Sequence, residues 1–275
     1  MILTAPMPFK EALDANEVRA LLPTTGRTRD LQQLSGAVKR RALFSATVTS
    51  AELLQKLQDS TQNLLTGTTD QATMRLGIKQ LLEQMGYQPD PEKIGGLQDL
   101  SSTKRINLQL ETLTDTARGY GWDLQGQDPD VLDEFPAQEL IRDFAPKGAE
   151  RDWAARWAKC GGEFFNGRMI ALKNDPIWSK LGDPELFDDG LGNPYPPFAY
   201  NSGMGVRDIA RDEAEQLGLI DPNQEVFPRD LSFNQELEAT PDVRDARLRA
   251  MLESSGLGTF NSDGAFVFND GEGGP

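Results

Sequence analysis

Apolar residues in the first half of the chain recur every third or fourth position, the spacing that gathers them on one face of a helix. Leu53, Leu54 and Leu57 begin one such stripe, which continues through Leu64 and Leu65. On this pattern we predict helices over residues 8–22, 30–48, 51–65, 71–87 and 101–122.

Residues that begin or end helices stand at several of these boundaries. Ser50 and Asp70 each precede a predicted helix and can accept hydrogen bonds from its first free amides. Gly67 is suited to end a helix because it adopts left-handed backbone easily. The Gly-Tyr-Gly-Trp run at 119–122 is expected to break the last of the predicted helices.

Shorter apolar pieces alternate with Pro, Gly and Asp in the second half. Residues 125–143 are expected to form a linker whose apolar pieces dock as a short strand or turn. Trp153 and Trp157 lie four residues apart on one face of a predicted helix, where buried packing is expected. Two more helices are predicted over 206–220 and 241–255, followed by a small hairpin.

Residues 164–204, named the signature segment, combine Pro, Gly and aromatic residues more densely than any other stretch. A regular helix is excluded there because the prolines lack an amide donor and restrict the residues before them. The segment is expected to follow a fixed irregular path held by its own aromatic side chains.

These elements predict an α+β protein with a mainly helical N-terminal half. The C-terminal half is expected to be irregular, mixed and rich in aromatics and Pro, with a small sheet or hairpin. The predicted regions are a helical region (1–145), the region around the signature segment (146–255) and a hairpin with an acidic, Gly-rich tail (256–275).

The balance of acidic and basic residues restricts the classes of binding partner. The chain has 275 residues, with 28 Lys and Arg against 43 Asp and Glu, a formal net charge of −15. This balance argues against coating DNA by charge alone and against adhesion to anionic membranes. Lys39, Arg40 and Arg41 form a basic cluster, read as a solvated helix face or as a contact for an acidic partner or nucleic acid. No apolar run is long enough to span a membrane, and no signal peptide is indicated.

The numbers of His and Cys residues restrict the kinds of catalysis and metal binding that the chain can perform. The chain has no His and one Cys, Cys160, which is expected to be a semi-buried structural residue. Histidine-dependent nucleophilic catalysis, imidazole-ligated metals and thiolate clusters are therefore excluded within this chain. Carboxylate acid–base chemistry, hard cations on oxygen ligands, or no catalysis remain open.

The acidic loop within the signature segment is the best place to look for a cation site. Its carboxylates are Asp183, Glu185, Asp188 and Asp189. Their spacing does not match the twelve-residue calcium loop, so we expect a solvated acidic loop, with no metal and no cofactor. Arg168 could face an anion, although an arginine among aromatics is more often stacked or salt-bridged.

Three stretches together resemble the head morphogenesis, or minor head, proteins of tailed phages, the family typified by protein F of Mu-like phages. Two lie in the helical half: the first covers 41–57 with the Gly-Thr-Thr-Asp-Gln-Ala-Thr of 67–73, and the second covers 105–125. The third includes Arg151, Gly161, Gly162, the Asp-Pro-Ile-Trp of 175–178 and the Tyr-Pro-Pro-Phe-Ala-Tyr-Asn-Ser-Gly-Met of 195–204. The chain departs from the family pattern where it lacks a His and carries Ser-Gly-Met in place of a cysteine pair. Any metal or disulfide role of those family residues is therefore absent here.

The resemblance implies a non-enzymatic virion component, present in the host cytoplasm during assembly. Its implied partners are the portal protein, the major capsid protein and, locally, packaged DNA, with several copies around the portal and roles in assembly, packaging or ejection. Trp178, Tyr195, Phe198 and Tyr200, with Arg168, are the candidate contact residues; alternatively, the four aromatics hold their own segment together. Rival hypotheses are a carboxylate-dependent hydrolase or transferase using Asp183, Asp188, Asp189 and Arg168, and a head–tail adaptor.

Overall fold

The computed structural model describes residues 9–32, 34, 38–39, 42–145, 151–229, 238–239, 246–256, 258–262, 264 and 266–268. The chain forms two compact units. The helical unit comprises Met1–Leu31 and Arg41–Gly121, and the sheet unit comprises Gln32–Arg40 and Trp122–Pro275. The helical unit therefore ends at Gly121, whereas the sequence analysis ends the helical region at residue 145.

Helices dominate the helical unit. Its elements are α1 (Lys10–Glu17), β1 (Ala20–Leu21), α2 (Thr28–Gln32), β2 (Ala42–Leu43), α3 (Ala51–Leu65), α4 (Gln71–Gln84) and the first part of α5 (Thr103–Gly126). Its main core gathers buried leucines and isoleucines from α3, α4 and α5, among them Leu54, Ile78, Ile106 and Leu110. The apolar stripes read from the sequence therefore face one another, as helical spacing predicts.

The predicted helix caps are confirmed. The Ser50 hydroxyl accepts from the Leu53 amide at 3.1 Å, and Asp70 accepts from the amides of Ala72 and Thr73. Gly67 follows α3 with a φ of 68°, the left-handed conformation in which glycine ends helices.

Two helix predictions in this unit are wrong. The segment 30–48 is not one helix, because α2 ends at Gln32 and Ala42–Leu43 pairs in parallel with Ala20–Leu21. Backbone pairing with a distant strand decides this conformation, and apolar spacing carries no record of it. The helix predicted over 101–122 also does not break at 119–122, because α5 continues to Gly126. At Gly121 an added Cβ would lie 2.5 Å from the Phe9 ring, so a larger residue would not fit there without a shift of that ring.

The sheet unit is built around an antiparallel sheet. Its elements are α6 (Pro129–Glu134), β3 (Ala137–Arg142), α7 (Trp153–Lys159), β4 (Phe164–Phe165), β5 (Arg168–Leu172), α8 (Ile177–Leu181), β6 (Met204–Ile209) and α9 (Arg211–Gln216). The strand order is β4-β5-β3-β6, so β3 lies between two neighbours. Glu139 of β3 stands opposite Ile170 on one side and Arg207 on the other.

Alternate residues of these strands pack into two different hydrophobic cores. Leu140, Ala171 and Met204 join the tryptophans of α7 and α8 in one core. Ala137, Ile170, Ile209, Ala214 and Ile220 form the other, to which α9 contributes. Residues 137–142, predicted as part of a linker, are thus the strand to which both β5 and β6 pair. Residues 206–209, predicted as helix, belong to strand β6, and the helix is confined to Arg211–Gln216.

The C-terminal region contains the predicted hairpin. Here α10 (Ala246–Ser254) is followed by β8 (Gly258–Phe260) and β9 (Phe266–Phe268), which pair antiparallel, and β7 (Glu238–Ala239) pairs with β9. The predicted acidic tail at 269–275 lies outside the described residues. The protein is therefore of the mixed α+β class, as predicted. Within the described ranges, no helix has the length and apolar character needed to cross a membrane.

Candidate functional site

Buried aromatics hold the signature segment from inside. Trp157 of α7 meets Trp178 of α8 edge-on, with ring centroids 5.5 Å apart, and Trp178 stacks on Phe198 at 6.2 Å. The Trp157 indole donates to the Glu163 carbonyl and the Trp178 indole to the Leu172 carbonyl. The indole N–H groups of these two tryptophans are thus satisfied, so the rings are packed without an unpaired donor.

Arg156 ties this core to the acidic loop. It is buried, and its Nε and Nη2 donate to the Leu181 carbonyl at 2.9 and 2.6 Å, while Nη1 donates to Asp189 at 2.8 Å. Its guanidinium lies 3.9 Å from the ring centroid of Phe187. A buried cation with hydrogen-bond acceptors and an aromatic face is well stabilised, so Arg156 fixes the position of the loop.

A second arginine completes the clamp on Asp189. Arg151 Nε lies 2.5 Å from the other Asp189 oxygen, and Arg151 Nη2 donates to the Tyr200 carbonyl at 2.8 Å. Burial raises the pKa of Asp189, but the hydrogen bond and charge of Arg156, with those of Arg151, outweigh it and hold the pKa below its ordinary value. Asp189 is therefore an ionised anchor between two cations.

The backbone of the loop folds closely on itself. The Gly192 amide donates to the Gly182 carbonyl at 2.7 Å, and the Leu191 amide donates to the Phe198 carbonyl at 3.0 Å. A Cβ at Gly182 would lie 2.2 Å from the Asn193 carbonyl oxygen, so no larger residue fits without displacing backbone. Residues 182–203 follow the fixed, irregular path expected from their Pro and Gly content. The first half of the signature segment does not, because it forms the strands β4 and β5 and the short helix α8.

The four candidate aromatics divide into two groups. Trp178, Tyr195 and Phe198 are buried, whereas Tyr200 is 39% exposed. Three of the four therefore hold their own segment together in this conformation, which was the alternative reading of the sequence. Tyr200 is the member of the set that reaches the surface.

Arg168 belongs to a charge network across the sheet. It donates to both oxygens of Glu139, at 3.1 and 2.7 Å, and to Glu213 at 2.6 Å. Arg207 donates to the same Glu139 carboxylate. Hydrogen bonding to Arg168 outweighs burial and, with Arg207, holds the pKa of Glu139 below its ordinary value. Of the two interpretations that the sequence left open, an anion-binding residue and a stacked or salt-bridged residue, the structure places Arg168 in a salt bridge.

The carboxylates of the acidic loop do not converge. Asp183 accepts from the Glu185 amide at 2.8 Å, Asp188 is exposed, and Asp189 faces its two arginines. Across the described ranges, no group of three or more His, Cys, Asp or Glu residues is placed to hold a metal ion. The metal candidates Asp183, Asp188 and Asp189 therefore do not form a ligand set here.

A buried charged cluster that the sequence did not reveal lies elsewhere in the sheet unit. Arg229 donates to both oxygens of Asp123, while the Arg229 amide donates to the Gln127 side chain at 2.9 Å. Gln127 also donates to the carbonyl of Lys173, whose buried ammonium lies 2.9 Å from Asp208. Burial raises the pKa of Asp123 to about 6, against the opposing effects of Arg229 and Lys173. This carboxyl can therefore change protonation in the mildly acidic range.

Lys39 was predicted to lie on a solvated helix face or to contact an acidic partner or nucleic acid, and its placement corrects the first of these interpretations. It is half-buried, and its Nζ donates to the carbonyls of Gln32 at 3.2 Å and Gly190 at 3.3 Å. Burial lowers the pKa of Lys39 to about 8, although Asp183 acts in the opposite direction. Arg40 and Arg41 lie outside the described residues. Lys39 thus adds an attachment to the loop that Arg156 and Arg151 also hold.

Comparison of the chain with protein-family models, with curated proteins and with solved structures finds no match.

Proposed function

We propose that this chain is a minor head protein of a tailed phage, a structural component that acts in head assembly and in DNA packaging or ejection through protein–protein contacts. One observation supports the proposal: within the sheet unit, the positions of the third stretch that resembles the family lie in contact with one another. Arg151 reaches Asp189 and the Tyr200 carbonyl, Gly162 lies against the Trp157 ring, and Trp178 stacks on Phe198. A pattern whose members contact one another is the expected mark of a shared fold.

The pairing of charges supports a structural role for this module. Asp189 is held by two arginines, and Arg168 is shared between Glu139 and Glu213. A general acid or base needs a proton-transfer path to a substrate and a pKa near the working pH. The depressed pKa values of Asp189 and Glu139 suit fixed ion pairs better than proton transfer.

We assign the contact surface to the end of the sheet where Phe144 and Tyr200 lie. Phe144 is 74% exposed, and its amide and that of Asp143 both donate to the Gly203 carbonyl, at 3.1 and 2.9 Å. Gly203 adopts a φ of 63°, and a Cβ there would lie 2.3 Å from the Phe144 carbonyl oxygen. Exposed aromatics on a fixed backbone are well suited to anchor an interface. The proposed partner is the portal or the major capsid protein.

The test begins with purified particles. Mass spectrometry should detect the chain in virions, and affinity purification of the chain should recover the portal or capsid protein. Absence of the chain from purified particles would contradict the proposal.

Variants then locate the surface. Phe144→Ser combined with Tyr200→Ser should lower the copies per particle about tenfold, because loss of an anchor weakens binding by more than about 1.4 kcal/mol. Phe227→Ser is the matched control, since Phe227 is 66% exposed elsewhere in the sheet unit. Equal incorporation of both variants would move the contact surface away from Phe144 and Tyr200.

A further inference from the structure

Strand β6 forms one edge of the four-stranded sheet, because among the described residues it pairs with β3 alone. The pairing runs without a bulge over six residues, from Ala137–Arg142 on β3 to Met204–Ile209 on β6. No proline interrupts β6, and the opposite edge is formed by β4, which has only two residues. β6 is therefore the long and regular edge of this sheet.

Two hydrogen bonds at the ends of β3 show which strand each of its residues bonds to. The Asp143 amide donates to the Gly203 carbonyl, and the Lys173 amide donates to the Pro136 carbonyl, both at 2.9 Å. Hydrogen-bonded pairs alternate along an antiparallel ladder. Odd-numbered residues of β3 therefore bond to β6, and even-numbered residues bond to β5.

Two residues of β6 consequently direct their amide and carbonyl groups away from the sheet. Gly205, Arg207 and Ile209 are paired with odd-numbered residues of β3, which leaves Val206 and Asp208 with outward backbone groups. Within the part of the chain that the structure describes, these groups form no hydrogen bond. A strand that lies alongside β6 can pair with both residues at once, so the edge is suited to an extended segment.

The two charged side chains of β6 do not guard this edge. Arg207 donates to Glu139 of β3, and Asp208 lies 2.9 Å from the ammonium of Lys173, which directly follows β5. Both partners are buried. Charged residues often protect sheet edges, but these two are drawn toward the interior of the sheet.

The exposed members of these ion pairs indicate the sequence of the segment. The Arg207 side chain is 59% exposed against 10% for Glu139, and Asp208 is 53% exposed against 3% for Lys173. Adjacent residues of a strand face opposite sides of the sheet, so an incoming strand meets a cation on one face and an anion on the other. An acidic residue opposite Arg207 and a basic residue opposite Asp208 would match them.

Other charges around β6 leave this pattern in place. Across the ladder, in sequence or through the same ion pairs, the neighbouring charged residues are Arg142, Asp143, Arg168, Arg211, Asp212, Glu213 and Asp133. Arg168 pairs with Glu213 at 2.6 Å and Arg211 with Asp133 at 2.9 Å, while residues 142 and 143 carry opposite charges. Asp212 remains, and it follows Asp208 in the next helix, where it also favours a basic residue.

A second copy of the chain is a poor occupant of this edge. If two β6 strands paired about a two-fold axis with Val206 bonded to Asp208, the two copies of Arg207 would stand opposite each other. A register centred on Asp208 would oppose two carboxylates. One centred on Val206 would place Asp208 opposite Met204, whose amide already donates to the Ser202 hydroxyl at 3.3 Å.

We propose that β6 accepts an extended segment of another protein as an added antiparallel strand, with a basic residue opposite Asp208 and an acidic residue opposite Arg207. An antiparallel strand continues the pairing already present in the sheet. β6 starts directly after Gly203, whose carbonyl accepts from the Phe144 amide, so the added strand would adjoin the contact surface assigned above. This inference deepens the proposed function and rests on it for the particle in which the partner is found.

A peptide titration tests the pairing in the absence of phage. The probe is the acetylated and amidated peptide Thr-Lys-Glu-Val-Thr, whose Lys, Glu and Val would stand opposite Asp208, Arg207 and Val206. Added to the ¹⁵N-labelled full chain, it should shift the amide signals of Val206 and Asp208 and slow their hydrogen exchange.

Two altered peptides separate the charge pattern from the backbone. The charge-swapped peptide Thr-Glu-Lys-Val-Thr should bind about tenfold more weakly, and the probe methylated at the Lys and Val amide nitrogens should not bind. Equal binding of the two charge patterns, shifts that leave Val206 and Asp208 unaffected, or no binding of the probe would overturn the inference.

Proline at position 206 tests the contribution of the β6 backbone. Val206→Pro removes an outward amide without removing a bond to β3, and Gly205 before it has no Cβ to clash with the ring. Val206→Ala shortens the same side chain but keeps the amide. The proline variant should bind the probe at least about tenfold more weakly than the alanine variant, and circular dichroism melting confirms that both fold. Equal binding, or a wild-type dimer that Val206→Pro dissociates, would overturn the inference.

Incorporation into particles distinguishes this inference from the proposed function. Fewer copies of Val206→Pro than of Val206→Ala per particle would support both. If the chain is in particles and the two variants are incorporated equally, the inference fails and the proposed function stands. If the chain is absent from particles, the proposed function fails, and specific pairing with the probe would still uphold the β6 edge as a docking element.

Discussion

Arg156 donates to Asp189 at 2.8 Å while two of its other N–H groups donate to the Leu181 carbonyl. A single buried guanidinium thus connects the end of α8 to the acidic loop that follows it. The carboxylate that the sequence offered as a cation ligand is instead the partner of a fixed cation. Its role is to close the loop.

Replacing Asp189 by Asn should lower the free energy of unfolding by about 1–3 kcal/mol, because Arg156 would remain buried without its charged acceptor. Urea unfolding at pH 7 measures the change. Asp188→Asn is the control, since the adjacent carboxylate is exposed and its replacement should have little effect. Equal losses in the two variants would contradict the anchoring role.

The same variant should alter acid stability. The folded pKa of Asp189 is depressed, so the stability that it contributes is present above its unfolded pKa and is lost as pH falls through the folded value. Asp189→Asn should therefore flatten the acid side of the stability curve compared with wild type. An unchanged acid limb would show that this carboxylate is not coupled to folding.

Phe198 and Tyr200 should behave differently, although they lie two residues apart. Phe198 is buried against Trp178, so Phe198→Ala should cost about 3–5 kcal/mol of unfolding free energy. Tyr200 is 39% exposed, and burial raises the pKa of its hydroxyl, so Tyr200→Ala should cost less than Phe198→Ala, about 1–2 kcal/mol. Denaturant unfolding of both variants provides the comparison, and a larger loss for Tyr200→Ala would reverse the assignment of core and surface.

Replacing Arg229 by Gln should raise the pKa of Asp123 further above about 6, because burial would act without the arginine that opposes it. Titration of the carboxyl carbon by ¹³C NMR follows the change. Arg211→Gln is the control, since Arg211 pairs with Asp133 instead. A lower or unchanged Asp123 pKa in Arg229→Gln would show that Arg229 does not oppose the effect of burial on this carboxyl.

The raised pKa of Asp123 also sets the sign of a stability effect. The folded chain binds this proton more readily than the unfolded chain, whose carboxyl has the ordinary value of 3.8. The stability that protonated Asp123 contributes is therefore fully present below the unfolded pKa of 3.8, and it is lost as pH rises through the folded pKa of about 6. In Asp123→Asn, unfolding measured between pH 4 and 7 should lack this component.

Lys39 should react with amine reagents at lower pH than exposed lysines. Its pKa is lowered to about 8 by burial, whereas the pKa of Lys10 is raised by its hydrogen bond to Asp14. Labelling at a series of pH values, read by peptide mass spectrometry and scaled to each plateau, should give half-maximal reaction of Lys39 near pH 8. A Lys39 profile that coincides with that of Lys10 would contradict the prediction.

Local signals in the sequence foretold the parts of the fold that are decided locally. Ser50 and Asp70 cap their helices because a side-chain oxygen needs only the amides two or three residues ahead. The C-terminal hairpin was predicted for a similar reason, since its two strands are near in sequence. The burial of Trp153 and Trp157 was predicted from their spacing of four residues, which places them on one face of a helix.

The remaining parts of the fold depend on contacts between residues that lie far apart in the sequence. Strand β3 was predicted only as a short strand or turn within a linker rich in Pro and Asp. Its place between β5 and β6, with Glu139 buried and paired to Arg168 and Arg207, was not predicted. Asp123 and Arg229 lie 106 residues apart, and neither belongs to a motif that would link them. Sequence spacing records periodicity within an element, and it carries no direct information about which elements pair.

Cys160 lies in the tryptophan core, and burial raises the pKa of its thiol. Because it is the only cysteine in the chain, the native protein offers thiol reagents no readily ionised, accessible target. A cysteine introduced on the surface could therefore carry a fluorophore or spin label at one chosen position without removal of the native residue. A dye attached there could then test directly whether this protein joins a particle, as proposed.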